Sequence, residues 1–402
     1  MASRREFLRT GLKLGIGAAL AAALPGVSFA AAPGASPLVV VILRGALDGL
    51  SAVPPYGDPD YRNARGAIAI ARPGEAKGAL DLDGFFGLHP ALPLLHARFR
   101  AGELIVVHAT ASGYRERSHF DGQNVLENGG DRPSGSASGW LNRALGATGR
   151  GVTGLALGQN VPLVLRGPVP VGSWAPSSLP EVEPELLERL RDLYSNDAAL
   201  SARLDEGTRI DALAEGEMAQ DGDTMRRAKG GGIERLKAIA ETAGRMIAAP
   251  EGPRVAVFDA GGWDTHAAEG GAEGQLAGRL GGLDKVLDAL RTGLGAQWSR
   301  TAVLVCTEFG RTVEVNGTRG TDHGTGAAAF VLGGAVRGRV LADWPGLAAR
   351  HRYEGRDLKP TTDVRSVAKG LLIAQLGLPE RALGDVFPGT ESLRPVRDLV
   401  RG

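Results

Sequence analysis

Five short runs of apolar residues punctuate the chain, and none of them alternates with polar residues. They are Leu38 to Leu43, Leu104 to Val107, Val255 to Phe258, Ala302 to Cys306 and Ala327 to Leu332. A strand wetted on one side alternates, whereas a strand covered on both faces reads as an unbroken apolar run. Between the third and fourth runs, Leu276, Leu280, Leu283, Leu287, Leu290 and Leu294 recur at spacings of three and four. That stripe predicts an amphipathic helix. Strand, helix, strand in that order predicts a right-handed parallel crossover. The expected fold class is therefore α/β, with a mostly parallel central sheet flanked by helices.

Residues 180–249 depart from this pattern. They are rich in Glu, Arg, Ala and Leu and carry no strand-like run. Leu186, Leu187, Leu190 and Leu193 fit one helical face, and Gly230-Gly231-Gly232 precedes a second helix through Ile233 to Ile247. This stretch reads as a helical insertion within a domain of residues 33–402, either capping the sheet edge or covering one of its faces.

The N-terminus carries a different signal. Ser3-Arg4-Arg5-Glu6-Phe7-Leu8 precedes an apolar stretch from Leu12 to Ala23 and a small-residue cluster, Ser28-Phe29-Ala30-Ala31-Ala32. A basic front, a short apolar middle and a small-residue end predict a secretory leader over residues 1–32. The adjacent arginines place it in the twin-arginine class. The expected location is periplasmic or secreted, with the twin-arginine translocase as partner during export. The apolar stretch is shorter than the roughly 20 residues that cross a bilayer, and no stable membrane span is expected. A net charge of +1 offers no electrostatic footprint for nucleic acid. Cys306 is the single cysteine, so no internal disulfide forms, and its apolar run makes it a buried strand residue.

In open parallel sheets, ligands bind beyond the carboxyl ends of the strands. Arg44-Gly45-Ala46-Leu47-Asp48-Gly49 follows the first run. Arg115-Glu116-Arg117-Ser118-His119-Phe120-Asp121 comes after the second. Gly261-Gly262-Trp263-Asp264-Thr265-His266 follows the third, Thr307-Glu308-Phe309-Gly310-Arg311-Thr312 the fourth, and Thr321-Asp322-His323-Gly324 precedes the fifth. Imidazole with carboxylate is the ligand mix of zinc, manganese and similar divalent ions. Asp264, His266 and His323 are the expected ligands of one ion. Asp48 and Glu308 hold a second or complete the first. Ser118 opens a predicted helix, where it is either a nucleophile facing an anion site or an ordinary cap. His119 or Asp121 assists it. Arg311 or Arg44 clamps a phosphoryl or sulfuryl oxygen or serves as a salt-bridge residue. No Gly-x-Ser-x-Gly is present, which disfavours a nucleophile-elbow esterase. No glycine-rich turn follows a strand in the dinucleotide-binding pattern.

Taken together, Leu43 to Leu50, Gly261 to His266, Thr307 to Thr312 and Thr321 to Gly324 resemble the bacterial family labelled domain of unknown function 1501, grouped with the alkaline phosphatase-like superfamily of sulfatases and phosphatases. The resemblance implies a parallel sheet flanked by helices, a one- or two-metal site and a Ser, Thr or modified Cys nucleophile. Asp48 resembles that superfamily's first-strand metal aspartate, Ser118 its nucleophile, Asp264 and His266 the Asp and His of one ion, and His323 its final histidine. Glu308 stands where an Asp followed by His is usual, and Phe309 follows it here. The expectation is an exported hydrolase of phosphate or sulfate esters. Its cofactor is a divalent metal (zinc, manganese or calcium), and its substrate a small-molecule or glycan ester. The alternative is a non-catalytic periplasmic binding or assembly protein with a degenerate site.

Overall fold

A computed structural model describes residues 35–149, 151–176, 182, 184–219 and 232–401. The expected leader, residues 1–32, lies outside the described residues, as do Gly230 and Gly231.

The described strands are β1 (Leu38–Arg44), β2 (Leu80–Asp81), β3 (Gly87–Leu88), β4 (Leu104–Ala111), β5 (Gly154–Leu157), β6 (Gly172–Trp174), β7 (Val255–Gly261), β8 (Ala302–Thr307), β9 (Ala327–Leu332), β10 (Arg339–Leu341) and β11 (Thr362–Asp363). β2 and β3 form a separate ribbon. The main sheet has the order β10-β4-β9-β8-β1-β7-β5-β6, and β11 pairs with β4 beyond β10. All five apolar runs are strands of this sheet. The four short strands β5, β6, β10 and β11 add to its edges.

Each neighbouring pair is parallel except those that β9 makes with β4 and β8. The sheet is thus mixed and mostly parallel. The reversal of β9 matters for the site. Residues before a parallel strand lie at the amino edge of the sheet, but residues before an antiparallel one lie at the carboxyl edge. Thr321 to Gly324 therefore join the loops that leave β1, β4, β7 and β8.

The unbroken apolar runs have a physical cause in the packing. Val39, Val41 and Leu43 enter one core, with Leu276, Leu280, Leu287 and Leu290 of the Gln275–Leu294 helix. Leu38, Val40 and Ile42 enter a second core on the opposite face, with Trp140, Leu141, Val367 and Leu371. Burying each such side chain stabilises the fold by about 1.5–3 kcal/mol. The Gly232–Ala248 helix lies against the Gln275–Leu294 helix. A Cβ on Gly293 would sit 2.0 Å from the Glu241 carbonyl oxygen, so glycine alone permits that approach. The Ala198–Ala219 helix packs through Ile210 and Ala214 on Leu155 of β5 and Trp174 of β6. Within the stretch read as an insertion, these helices extend the cover at the β5–β6 end of the sheet. No helix among the described residues is long and apolar enough to cross a membrane.

Candidate metal centre

Four loops at the carboxyl edge meet around the carboxylate of Asp264. Gly45, just past β1, has φ +117°, and a Cβ there would lie 2.7 Å from the Asp264 amide nitrogen. A side chain at this position would push the Asp264 loop away. The loop after β8 and the segment before β9 are stitched together by backbone bonds from Thr312 to Asp322 (2.9 Å) and from Gly324 to Gly310 (2.8 Å). These fix His323 opposite Arg311. His119 is the first residue of the His119–Asn128 helix, whose N-cap is Ser118.

Three imidazoles approach one carboxylate oxygen. Asp264 Oδ1 lies 3.0 Å from His266 Nε2, 3.3 Å from His323 Nε2 and 3.4 Å from His119 Nε2. The rings of His119 and His323 are 4.3 Å apart, and those of His266 and His323 are 4.7 Å apart. His119, Asp264 and His323 each offer a ligand atom within 4.8 Å of the others, and His266 adjoins both Asp264 and His323. The cluster is half-exposed. Asp264 remains 43 % exposed and His119 22 %, which leaves room for an approaching molecule.

The outer nitrogen of every ring has an acceptor. His119 Nδ1 meets Glu308 Oε1 at 2.8 Å, His266 Nδ1 meets Asp322 Oδ1 at 3.2 Å, and His323 Nδ1 meets the Arg117 carbonyl oxygen at 2.9 Å. A carboxylate or carbonyl only accepts, so each Nδ1 is the donor and each ring turns its Nε2 inward. Yet His266 Nε2 and His323 Nε2 face each other at 2.9 Å, and the buried His119 Nε2 has no hydrogen-bond partner. A proton or a metal ion between these nitrogens satisfies them. Histidines whose second nitrogen is tied to a carboxylate or carbonyl are the usual ligands of metal ions. The residues therefore fit a divalent ion held by His119, Asp264, His266 and His323, an imidazole-rich set with one carboxylate.

The electrostatics agree with this geometry. Burial pulls the His323 pKa down, helped by the positive neighbours His119 and Arg311, and the ring stays neutral. The hydrogen bond to Glu308 raises His119 against its burial. Burial works to raise Asp264, but the Arg311 bond at 2.5 Å and the nearby histidines outweigh it and hold the carboxyl below its ordinary range.

The other predicted residues have different surroundings. Glu308 is fully buried and its oxygens accept from His119, Gln123, Gly45 N and Thr307. It orients His119 instead of reaching the inner cluster. Asp48 is also elsewhere: it caps the Gly49–Ala52 turn and forms a buried ion pair with Arg65. The structure thus does not join Asp48 and Glu308 as the ligands of a second ion. Ser118 is half-buried and accepts from Asp121 N at 3.5 Å. Arg311 is 1 % exposed, and its nitrogens bond the carbonyls of Gly45, Ala46, Trp263 and Thr321 as well as Asp264. It braces the loops from a buried position. Arg44 bonds Glu127, Gln123 and Asp259. Cys306 is buried in β8, and burial pushes its thiol up to about 12, far from a reactive thiolate.

The sequence offers His119 or Asp121 as an assistant to Ser118, and it gives no separate role to Asp322, Gln123 or the Arg117 carbonyl. His119 stands on a helix start, and its ring stacks on Phe309 at 5.0 Å. The residue after Glu308 thus supports an imidazole instead of supplying one.

A family model described as "Protein of unknown function (DUF1501)" matches residues 105–370, a span that includes all four cluster residues. No curated protein matches the chain. Among solved structures, the crystal structure of phosphonate monoester hydrolase of Agrobacterium radiobacter is similar at 13 % identity and a TM-score of 0.39, over 86 % of this chain and 74 % of that chain.

Proposed function

We propose that this chain, which belongs to the DUF1501 family, is an exported metal-dependent hydrolase of phosphate or sulfate esters. One observation carries the reading. Three histidines with outward Nδ1 protons turn their Nε2 atoms toward one carboxylate oxygen. His119, Asp264, His266 and His323 would hold the ion, with Glu308, Asp322 and the Arg117 carbonyl holding the rings. A divalent ion bound there supplies Lewis acidity that offsets charge developing on a transferring phosphoryl or sulfuryl group. Ser118, one residue before His119, is the proposed nucleophile. Its oxygen accepts from the Asp121 amide, a bond that does not use the hydroxyl proton, and the helix N-terminus favours an anion beside it. Its oxygen attacks phosphorus or sulfur as the bond to the leaving oxygen breaks, and the serine proton passes to that leaving oxygen so that the alcohol departs. Water then cleaves the Ser118 ester, releasing the acid and returning a proton to Ser118. The arginine pair near the start of the chain, Arg4-Arg5, supports export by the twin-arginine route to the periplasm or beyond.

Elemental analysis of purified protein, with turnover of aryl phosphates and aryl sulfates, tests this. The expected result is one equivalent of zinc or manganese in the wild type and none in an Asp264→Ala/His266→Ala variant. Full turnover by the metal-free chain would sink the metal role, and full turnover by Ser118→Ala would remove the serine step.

A second reading, a metal-binding periplasmic protein without turnover, draws support from Arg311. The residue expected to clamp a substrate is buried among backbone carbonyls. Bound metal with no turnover across both ester panels would favour it.

A further inference from the structure

A cavity of about 450 Å³ is walled by Arg350, His351, Arg352, Tyr353, Glu354 and Lys359. Its size suits a small ligand. Its charge is one-sided. Arg352 is paired with Glu314 at 2.7 Å, and Glu354 is paired with Arg117 at 2.5 Å. Arg350 and Lys359 are exposed and form no ion pair among the described residues. The wall's one carboxylate is thus already neutralised from outside, while two of its cations are free. Guanidinium and ammonium groups converging on an open cavity suit sulfate, phosphate or carboxylate oxygens.

The wall shares its supports with the cluster. Arg117 bonds Glu354 in the wall and buried Asp357 at 2.8 Å, while its own carbonyl holds His323 Nδ1 at 2.9 Å. Arg356, between those two acids, donates to the His323 carbonyl at 2.6 Å and to Asp357 at 2.8 Å. One arginine and one short turn therefore separate the basic cavity from a candidate metal ligand.

We infer that this cavity binds an anionic group, and that the group is a second anion carried by the ester substrate whose first sits at the histidine cluster. The second half rests on the hydrolase reading; the first half does not. The substrate class this defines is an ester with two separated anionic groups.

Calorimetric titration of the metal-stripped full chain with inorganic tripolyphosphate at low ionic strength tests the cavity without turnover. The expected result is a single site that Arg350→Ala/Lys359→Ala weakens at least tenfold. Arg381→Ala/Arg394→Ala, which removes two cations elsewhere, should leave it intact. No binding by the wild type, or equal losses in the two double variants, would overturn the inference. The substrate half is read from KM with 4-nitrophenyl phosphate against a ring-carboxylated analogue on the metal-loaded chain. A lower KM for the doubly anionic ester that disappears in Arg350→Ala/Lys359→Ala supports it, and equal KM values overturn it. Absence of turnover on both phosphate esters and on the matching sulfate esters defeats the hydrolase reading and the substrate half together, while the titration still decides the cavity.

Discussion

Two groups of ionisable side chains occupy the carboxyl edge of the sheet, and they balance their charges in opposite ways. Asp48, Arg65 and Glu269 are almost fully buried. Arg65 pairs with Asp48, bonds Ser51 and the carbonyls of Thr312 and Val313, and lies 3.9 Å from Glu269. Burial works to raise Asp48, but Arg65 holds it ionised. Burial and the Asp48 charge push Glu269 up to about 9, so it is neutral at pH 7. One cation, one anion and one neutral acid close the account internally. The cluster of His119, Asp264, His266 and His323 is half-exposed, and three ring nitrogens turn toward one Asp264 oxygen. Burial with internal neutrality marks a structural pair, whereas half-exposed imidazoles converging on one carboxylate mark a candidate ligand site.

The sharpest way to break this contrast is to remove Arg65. Arg65→Met strands the Asp48 charge in the core, and breaking a buried pair in this way costs about 3–5 kcal/mol. Urea unfolding should register that loss, and Arg65→Met/Asp48→Leu should recover much of it. Retention of wild-type stability by the single variant would dissolve the distinction. The histidine cluster should respond to metal instead. Zinc or manganese at a hundredfold excess over Kd should stabilise the fold by about 2.7 kcal/mol, read as a rise in Tm. Without metal, His266→Ala should move stability by only about 0.5 kcal/mol, as for other exposed positions, while abolishing the metal-dependent rise. Glu308→Gln weakens the acceptor that fixes His119 and should lower metal affinity about 10–100-fold. An unchanged affinity in competition with a chelating dye would reduce Glu308 to a packing role.

The same contrast explains what the amino-acid order discloses. The sheet is legible because β1, β4, β8 and β9 are buried along almost their whole length, and burial on both faces leaves an unbroken apolar run. An apolar run carries no direction, so the reversal of β9 was not legible. Strands of two to four residues such as β5 and β11 are too short to show a period. Asp264, His266 and His323 stand out because Asp and His crowd together on glycine-flanked loops next to strands. The place of His119 depends on Glu308, 189 positions away in sequence. Asp48 shows the reverse limit. An aspartate before a glycine at a strand end reads alike whether an ion or the guanidinium of Arg65 faces it.

A pH series probes the neutral acid in the buried group. Glutamate in an unfolded chain titrates near pH 4.3, whereas Glu269 in the fold titrates at about 9. Between these values the folded chain keeps a proton that the unfolded chain has released. The contribution of Glu269 to stability is therefore complete below about pH 4.3 and declines as pH rises toward 9, by at most about 1.4 kcal/mol per pH unit. Glu269→Gln keeps the shape and a donor but cannot ionise, so unfolding free energies at pH 5, 7 and 9 should fall less steeply in the variant. Thr321, whose hydroxyl donates to Glu269 at 2.7 Å, also accepts at its carbonyl from Arg311, which holds Asp264. Loss of the proton on Glu269 should thus loosen a loop shared with the metal cluster. Equal slopes in the two proteins would mean that Glu269 is ionised at neutrality, leaving two carboxylates on one guanidinium and ending the claim that the buried group is charge-neutral.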